Sequence, residues 1–398
     1  MKSKILVFIL LFFTFSLNVN ALEITSNNAI LYNLNNDEII YEKSSEEKIK
    51  IASLTKIMTT IVAIENIDDL NKEVIITNEM SKGLIERNAA VYGLQAGDVV
   101  TYKDLLYLTM LPSAADATQA LAISITGSID EFVNLMNEKA KSLGLVNTNF
   151  TNTHGLDDEN NYSTVKDIAI ILKYALNNDT FNEIFQTKYY TLSNNQKIRS
   201  TLESSSLKYN LDTSYIKGSK TGTTKKAGMC LASIASYNNI NYLLVTAKTN
   251  VNLLSNEPLN IKDSDLIYKY YFENYNYYNI LNENTILTKI DNKYSDKEII
   301  ITSPIEYSLY MLKEDYEKLE YEYIGKTTTN IFEKNKLLGS YNIKSNGEII
   351  KTIDVYNNYD NDFNILIFIS NYLYIFIPLI IILILISIKV INIRLKKI

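Results

Sequence analysis

Residues 51–60 read IASLTKIMTT. Ser53 and Lys56 stand three positions apart, which on a helix puts them on one face, a turn apart. Leu54, Ile57, Met58, Ile61 and Val62 recur at i, i+3, i+4, i+7 and i+8, the spacing of a buried helix face. The stretch therefore predicts a core helix with Ser53 near its N-terminus. Free backbone N–H groups and the helix dipole favour developing negative charge there. A neutral Lys56 could take the Ser53 proton, giving a serine nucleophile that needs no histidine. Taken alone, a Ser and a Lys at this spacing more often mark a solvated helix face, so the decision rests on the rest of the chain.

Upstream, AILYNLNNDEIIYEK (29–43) predicts a hairpin turning at Asn35-Asn36-Asp37. Downstream, KEVIITNEM is a strand candidate and a helix is expected to start near Thr101. SAADATQALAISIT and SIDEFVNLMNEKAKSLGL are helical by period, the second ending at Gly144. YSTVKDIAIILKYAL is another helix, with Ser163 as its expected N-cap. From about residue 186 the pattern changes to strands: KYYTLSN, YIKGSKTGTT, MCLASIASYNN and INYLLVTAKT. SDLIYKYYFENY then closes the unit as a helix. A strand pair, a helical block, an antiparallel strand series and a final helix predict an α+β domain whose helices cover one sheet. Beyond about residue 277 short strands predominate, predicting a small all-β module. NNYDNDFN (357–364) reads as a polar spacer.

Composition narrows the function. The 398 residues carry a net charge of −6, and no interior basic block suggests nucleic acid as a partner. One cysteine, Cys230, and one histidine, His154, exclude an intrachain disulfide. They also make a zinc centre of three or four His and Cys ligands untenable. No metal or cofactor is expected. Lys2 and Lys4, the apolar run ILVFILLFFTFSL and then NVNA read as an export signal (1–21), with Val19 and Ala21 suiting cleavage after Ala21. At the other end, residues 365–388 are long and apolar enough to cross a bilayer, and Pro378 is tolerable there. The basic tail 389–398, with Lys389, Arg394, Lys396 and Lys397, is expected to stay cytoplasmic. Residues 22 to about 362 then lie outside the membrane.

Two further strings bear on Ser53 and Lys56. LPSAADATQAL (111–121) holds Ser113 between helices. GSKTGTTKKAGMC (218–230) holds Lys220-Thr221-Gly222 on a strand, where alternation sends Lys220 and Thr221 to opposite faces. Gly222 would let a substrate backbone approach closely. S-x-x-K, then a variant of S-x-N, then K-T-G, in that order, is the motif set of penicillin-binding proteins and β-lactamases. The surrounding LQAGDVVTYKDLLYLTMLPSAADA, MNEKAKSLGLVNTNFTNTHGLDDENNYSTVKDIA and GSKTGTTKKAGMCL closely resemble the D-alanyl-D-alanine carboxypeptidases, the low-molecular-weight penicillin-binding proteins. The resemblance spans about 24–275 and continues more weakly through 278–355, which is similar to that family's C-terminal β-sandwich.

The resemblance implies a β-lactamase/transpeptidase-like domain (22–276), a β-rich domain (277–358) and the anchor. It implies Ser53 as the acyl-enzyme nucleophile, Lys56 as its base and Ser113 as a proton relay. Lys220 and Thr221 would hold the substrate carboxylate. The backbone N–H groups of Ser53 and Thr223, beside Gly222, would form the oxyanion hole. Peptidoglycan stem peptides ending in D-Ala-D-Ala are the implied substrates and β-lactams the implied covalent inhibitors. Lys220 could also supply the like charge that depresses Lys56, whose ordinary pKa is about 10.4. One departure stands out: Ala115 occupies the position where the family's second motif usually has Asn, so activity is expected to be reduced or altered. His154 lies in a segment where the family's histidine is not catalytic, Cys230 reads as core, and Arg199 reads as a surface arginine. No ExxLN stretch supports a class A β-lactamase. A cross-link endopeptidase and a non-catalytic surface protein are the rival readings.

Overall fold

The computed structural model describes residues 22–249, 257–359 and 362–395; the export signal lies outside them. Two compact units divide between Phe272 and Glu273.

The first unit opens with β1 (Ser26–Asn33) and β2 (Glu38–Lys43). Then come α1 (Thr55–Glu65), β3 (Glu73–Ile75), β4 (Val99–Thr101), α2 (Tyr102–Met110), α3 (Ala115–Thr126), α4 (Ile129–Ser142), α5 (Val165–Leu176) and α6 (Asp179–Gln186). The chain continues through β5 (Tyr189–Thr191), β6 (Lys197–Arg199), α7 (Thr201–Tyr209), β7 (Ile216–Thr224), β8 (Gly228–Tyr237), β9 (Ile240–Thr249) and α8 (Leu259–Asn274). The main sheet is antiparallel in the order β2-β1-β9-β8-β7, which leaves β7 as an edge.

The pleat decides what each strand face meets. Ile30, Val245, Ala232 and Lys220 are successive cross-strand partners on β1, β9, β8 and β7. The first three pack into one core with α1, α2, α4 and α5, so this face of the sheet is the helical face. The opposite face carries Ser233 and Tyr242, which meet α8: Ser233 Oγ lies 2.9 Å from the Tyr268 hydroxyl, and the Tyr242 and Phe272 rings are 4.8 Å apart.

Local capping follows the sequence, with one shift. Thr101 caps α2 in a capping box with Asp104. The cap of α5 is Thr164, which accepts the Asp167 N–H, and not Ser163. Ser163 is drawn instead into a backbone bridge with Ile49, and its hydroxyl meets that of Thr148 at 2.7 Å. A long-range pairing has outcompeted the local cap.

The second unit contains β10 (Tyr275–Leu281), β11 (Ile286–Asn292), β12 (Glu298–Thr302), β13 (Tyr307–Leu312), α9 (Lys313–Glu317), β14 (Glu320–Gly325), β15 (Thr328–Thr329), β16 (Leu337–Ser345) and β17 (Glu348–Tyr356). Sheets β12-β11-β15 and β14-β16-β17 share a core in which Ile290, Ile299 and Ile301 pack with Tyr341, Ile343, Ile353 and Val355. This is a small β-sandwich. The apolar C-terminal stretch expected as one span over 365–388 is two helices, α10 (Ile365–Asn371) and α11 (Leu373–Leu395), broken at Tyr372. Leu373–Ile393, 21 residues, is long and apolar enough to cross a membrane. At 1.5 Å per residue it reaches about 30 Å.

Candidate active site

Ser53 lies in a short 3-10 turn, Ala52–Leu54, immediately before α1. The expected helix thus starts two residues later than Ser53, yet the three-residue spacing still brings Lys56 beneath it. Lys56 Nζ is 3.0 Å from Ser53 Oγ and donates to the His154 carbonyl at 2.8 Å. Lys56 is 2% exposed. Burial lowers its pKa to about 7, against the opposing pull of the Asp116 carboxylate. A neutral amine has two N–H bonds and one lone pair. With the His154 carbonyl taking one N–H, the lone pair is free to face the Ser53 hydroxyl.

The turn that carries Ser53 is held between two close backbone approaches. A Cβ on Gly222 would stand 2.8 Å from the Ser53 nitrogen and 3.0 Å from Ala52 Cβ. A Cβ on Gly155, whose φ is +84°, would stand 1.9 Å from the Ala52 carbonyl oxygen. β7 therefore packs against one side of the turn and the 152–156 loop against the other. Ala52 itself has φ +48° and Ser113 φ +65°, left-handed conformations costing roughly 1–2 kcal/mol each for residues with a side chain. Such strain is concentrated at sites that the surrounding structure over-determines.

The register of β7 settles which way its side chains point. Lys220 pairs with Ala232 and so faces the helices and Lys56. It is completely buried and donates to the Thr221 carbonyl at 2.9 Å. Its pKa is pushed well below the ordinary lysine value, by burial first and then by the charge on Lys56. The expected direction of influence is thus reversed. Burial depresses Lys56, and Lys56 in turn depresses Lys220.

Thr221 faces the other way, onto a cleft of about 280 Å³ that also takes in Thr223, Ser204, Lys208 and Asn260. Its hydroxyl lies 2.6 Å from that of Thr201, and the Thr201 N–H bonds the Leu111 carbonyl at 3.1 Å. Thr201 thereby stitches the K-T-G strand to the segment leading into Ser113. Ser113 is buried in the link between α2 and α3. Arg199 is exposed on β6 and does not line the cleft; Lys208 is the cation there.

Ala115 opens α3 and is buried. No amide is present to touch Lys56 from this position, and the neighbouring residue carries the polar work. The Asp116 carboxylate accepts backbone N–H groups of Tyr92, Gly93 and Leu94 at 3.0, 2.8 and 3.0 Å. It fixes that loop to the start of α3 and sets a negative charge near Lys56. His154 is neutral: burial, then Lys56 and Arg87, lower it to about 3, and its Nδ1 accepts the Leu156 N–H at 3.2 Å. Cys230 is buried in the helical core. Of the His154 carbonyl, Thr201 and Asp116, two are invisible in the sequence, one being a backbone group and the other meeting Thr221 only in the folded chain. Only Asp116, beside the second motif, carried a local signal.

Residues 16–250 match the profile of the D-alanyl-D-alanine carboxypeptidase family, peptidase family S11. The chain belongs to that family. Among its relatives, D-alanyl-D-alanine carboxypeptidase DacF of Bacillus subtilis is 26% identical over 328 residues, 82% of this chain and 83% of the relative. DacC of Escherichia coli is 34% identical over 235 residues, 55% of this chain and 56% of the relative, so this chain spans about half of it. A D-alanyl-D-alanine endopeptidase of Escherichia coli is 30% identical over 222 residues, 54% of this chain and 69% of the relative. The Streptomyces K15 DD-transpeptidase structure superposes with a TM-score of 0.56 at 29% identity, covering 63% of this chain and 98% of that one. Within the D-alanyl-D-alanine carboxypeptidase family the α+β architecture is therefore the expected one.

Proposed function

We propose that this chain is a serine-type D-Ala-D-Ala carboxypeptidase that removes the terminal D-alanine from peptidoglycan stem pentapeptides. The observation that carries the reading is the buried Lys56 amine, 3.0 Å from Ser53 Oγ, with a pKa lowered to about 7. Ser53 Oγ attacks the carbonyl carbon of the penultimate D-alanine and gives its proton to Lys56 Nζ. The tetrahedral oxyanion is met by the backbone N–H groups of Ser53 and Thr223. Loss of one such donor in a comparable enzyme costs about 3–4 kcal/mol. Collapse breaks the peptide bond, and the departing D-alanine nitrogen takes the proton from Lys56 through Ser113. Water, giving a proton to Lys56, then attacks the Ser53 ester, releasing the shortened peptide and restoring the hydroxyl. Thr221, with Lys220 behind it, receives the substrate's terminal carboxylate, whose arrival would favour the charged form of Lys220. β-Lactams acylate Ser53 by the same first step.

Residues 22–276 form the catalytic domain in this reading and 277–358 a β-rich domain. Leu373–Ile393 anchors the chain with both outside the cytoplasm and the basic residues that follow it inside. D-Alanine release from a pentapeptide, compared with cleavage of a cross-linked dimer, tests the assignment. Faster cleavage of the dimer would favour the endopeptidase reading, which the endopeptidase relative keeps in play. A folded protein that takes up no fluorescent penicillin would reduce it to a non-catalytic surface protein.

The acylation rate should rise with pH through about 7 and level above it, because only neutral Lys56 can accept the Ser53 proton. Stability should move in the same direction. The unfolded chain keeps Lys56 protonated up to its ordinary value, so it binds more protons than the folded chain from about pH 7 to about 10.4. Stability from this group therefore increases across that window. His154, lowered to about 3, cannot supply the limb near 7. Stopped-flow labelling across this range checks it, and a flat profile would refute Lys56 as the base.

Ala115→Asn should raise the acylation rate. One added hydrogen bond to the amine is worth about 1–1.5 kcal/mol, or roughly tenfold. An unchanged rate, with an unchanged melting temperature, would mean that the His154 carbonyl and Ser53 already hold Lys56 fully.

A further inference from the structure

The residues expected to form a polar spacer are bound, where described, to the β-rich unit. Asn292 Nδ2 donates to the Asp362 carbonyl at 2.8 Å, and the Asp362 carboxylate pairs with Lys297 at 2.7 Å. The Asn364 N–H donates to the Tyr294 carbonyl at 2.7 Å. At the far end of α10, Asn371 Nδ2 donates to the Lys293 carbonyl at 2.9 Å, and the Tyr372 hydroxyl meets that of Tyr294 at 2.8 Å. The buried Tyr294 ring lies 5.0 Å from the Phe368 ring and 6.0–6.3 Å from those of Phe363, Tyr372 and Phe332. One short segment, Asn292–Tyr294, thus grips α10 at both ends, and α11 starts at the next residue after Tyr372.

Around this joint the surface is apolar and open. Leu366 is 73% exposed, Tyr374 70% and Phe332 68%, with Ile365 and Phe363 also exposed. An apolar collar of this kind needs an occupant. Its continuity with the span identifies one. If α11 fills the hydrocarbon core, Leu373 lies at its edge, and residues bonded to Tyr372 and Asn371 lie at headgroup depth. Tyrosine and phenylalanine rings with a lysine beside them suit that layer; Lys293 Nζ is 5.5 Å from the Tyr372 ring centroid.

We propose that this end of the β-rich unit is a lipid-facing seat. Phe332, Phe363, Ile365, Leu366 and Tyr374 enter the headgroup layer of the bilayer, and the unit rises from it in a fixed orientation rather than swinging on a tether. The proposal rests on the reading of α11 as a membrane anchor.

The chain contains no tryptophan, so single substitutions in the full-length protein each report one position. In phosphatidylcholine vesicles brominated near the headgroup, Phe332→Trp and Phe363→Trp should be quenched and blue-shifted. With bromines placed deep in the chains, Ile382→Trp should be quenched in mid-span. Ile349→Trp should not respond to either lipid. It lies on β17 opposite Lys344, and seven steps along β16 from Leu337 carry it about 23 Å away. Quenching at 382 without quenching at 332 and 363 would leave the anchor standing and overturn the seat. No quenching at 382 would remove the anchor and the seat with it. Equal quenching at 332 and 349 would mean that the unit lies flat, and blue-shifted collar positions insensitive to bromine would mean a second protein copy; either overturns the proposal.

Discussion

Ser53→Ala should fold as the parent does, take up no fluorescent penicillin and lose D-alanine release by on the order of 10⁴-fold or more, the scale seen when a catalytic serine is removed. Ser53 is only half-buried in its turn, and losing its hydroxyl leaves one bond of Lys56 unmade while the His154 carbonyl still holds the amine. Folding should therefore be little affected, and the loss belongs to chemistry. Lys56→Met separates base from nucleophile. It keeps the length of the side chain and removes a desolvation cost, which offsets the loss of the donor to the buried His154 carbonyl, so the melting temperature should stay within a few degrees of the parent. Acylation should nevertheless fall by about 10²–10⁴, the contribution of a positioned general base. A Lys56→Met protein labelled at the parent rate would show that Ser53 is activated by something else. A Ser53→Ala protein that still forms a covalent penicillin adduct would remove the nucleophile assignment altogether.

Gly155→Ala is expected to damage both fold and site, although residue 155 carries no chemistry. Its φ of +84° already disfavours any side chain, and the added Cβ would fall 1.9 Å from the Ala52 carbonyl oxygen and 2.9 Å from Thr55 Oγ1. Neither neighbour can yield cheaply. The carbonyl belongs to the Ser53 turn and accepts the Thr55 hydroxyl at 2.9 Å, and the loop is pinned by Asn152 Oδ1 on the Gly155 N–H at 2.6 Å. The cost should reach about 3 kcal/mol or more. For a unit of this size that lowers the melting temperature by roughly 6–12 °C. Acylation should drop as well, because the shift passes to Ser53 through Ala52 and to Lys56 through the adjacent His154 carbonyl. Gly144→Ala is the control: its φ is +75°, but a Cβ there meets nothing within 4 Å, so it carries the backbone cost alone and should leave acylation unchanged. Equal effects of the two substitutions on melting and acylation would refute the close approach as the cause.

The parts of the site written in short strings were legible. S-x-x-K predicted the Ser53–Lys56 contact from helix spacing, and strand alternation predicted that Lys220 and Thr221 would part. The alternating strands and the helical periods of the first unit were legible for the same reason, since both reflect which side of a local element meets the core. The α5 cap falls one residue later than the local rule predicts, because that rule cannot see Ser163 recruited by Ile49, more than a hundred positions away. Composition alone predicts one apolar C-terminal helix, because it does not register the grip of Tyr294 on Tyr372.

What the amino-acid string settled, then, is the inventory: a serine and a lysine one helical turn apart, a K-T-G strand, a sheet with helices, and an apolar end long enough to span a bilayer. Each follows from periodicity or from residues within a few positions of one another. What waited for the folded chain is how those parts are held. The Lys56 amine is oriented by a backbone carbonyl 98 positions away, and every residue owns such a carbonyl, so no side chain signals it. The depression of Lys56 comes first from burial, which is a property of the assembled core rather than of any neighbour in sequence. The narrow clearances at Gly155 and Gly222 exist only once the 152–156 loop and β7 have closed on the turn between them. The pair Ser53 and Lys56 could be read from ten residues, but the geometry that suits them to chemistry is supplied by contacts across the whole first unit.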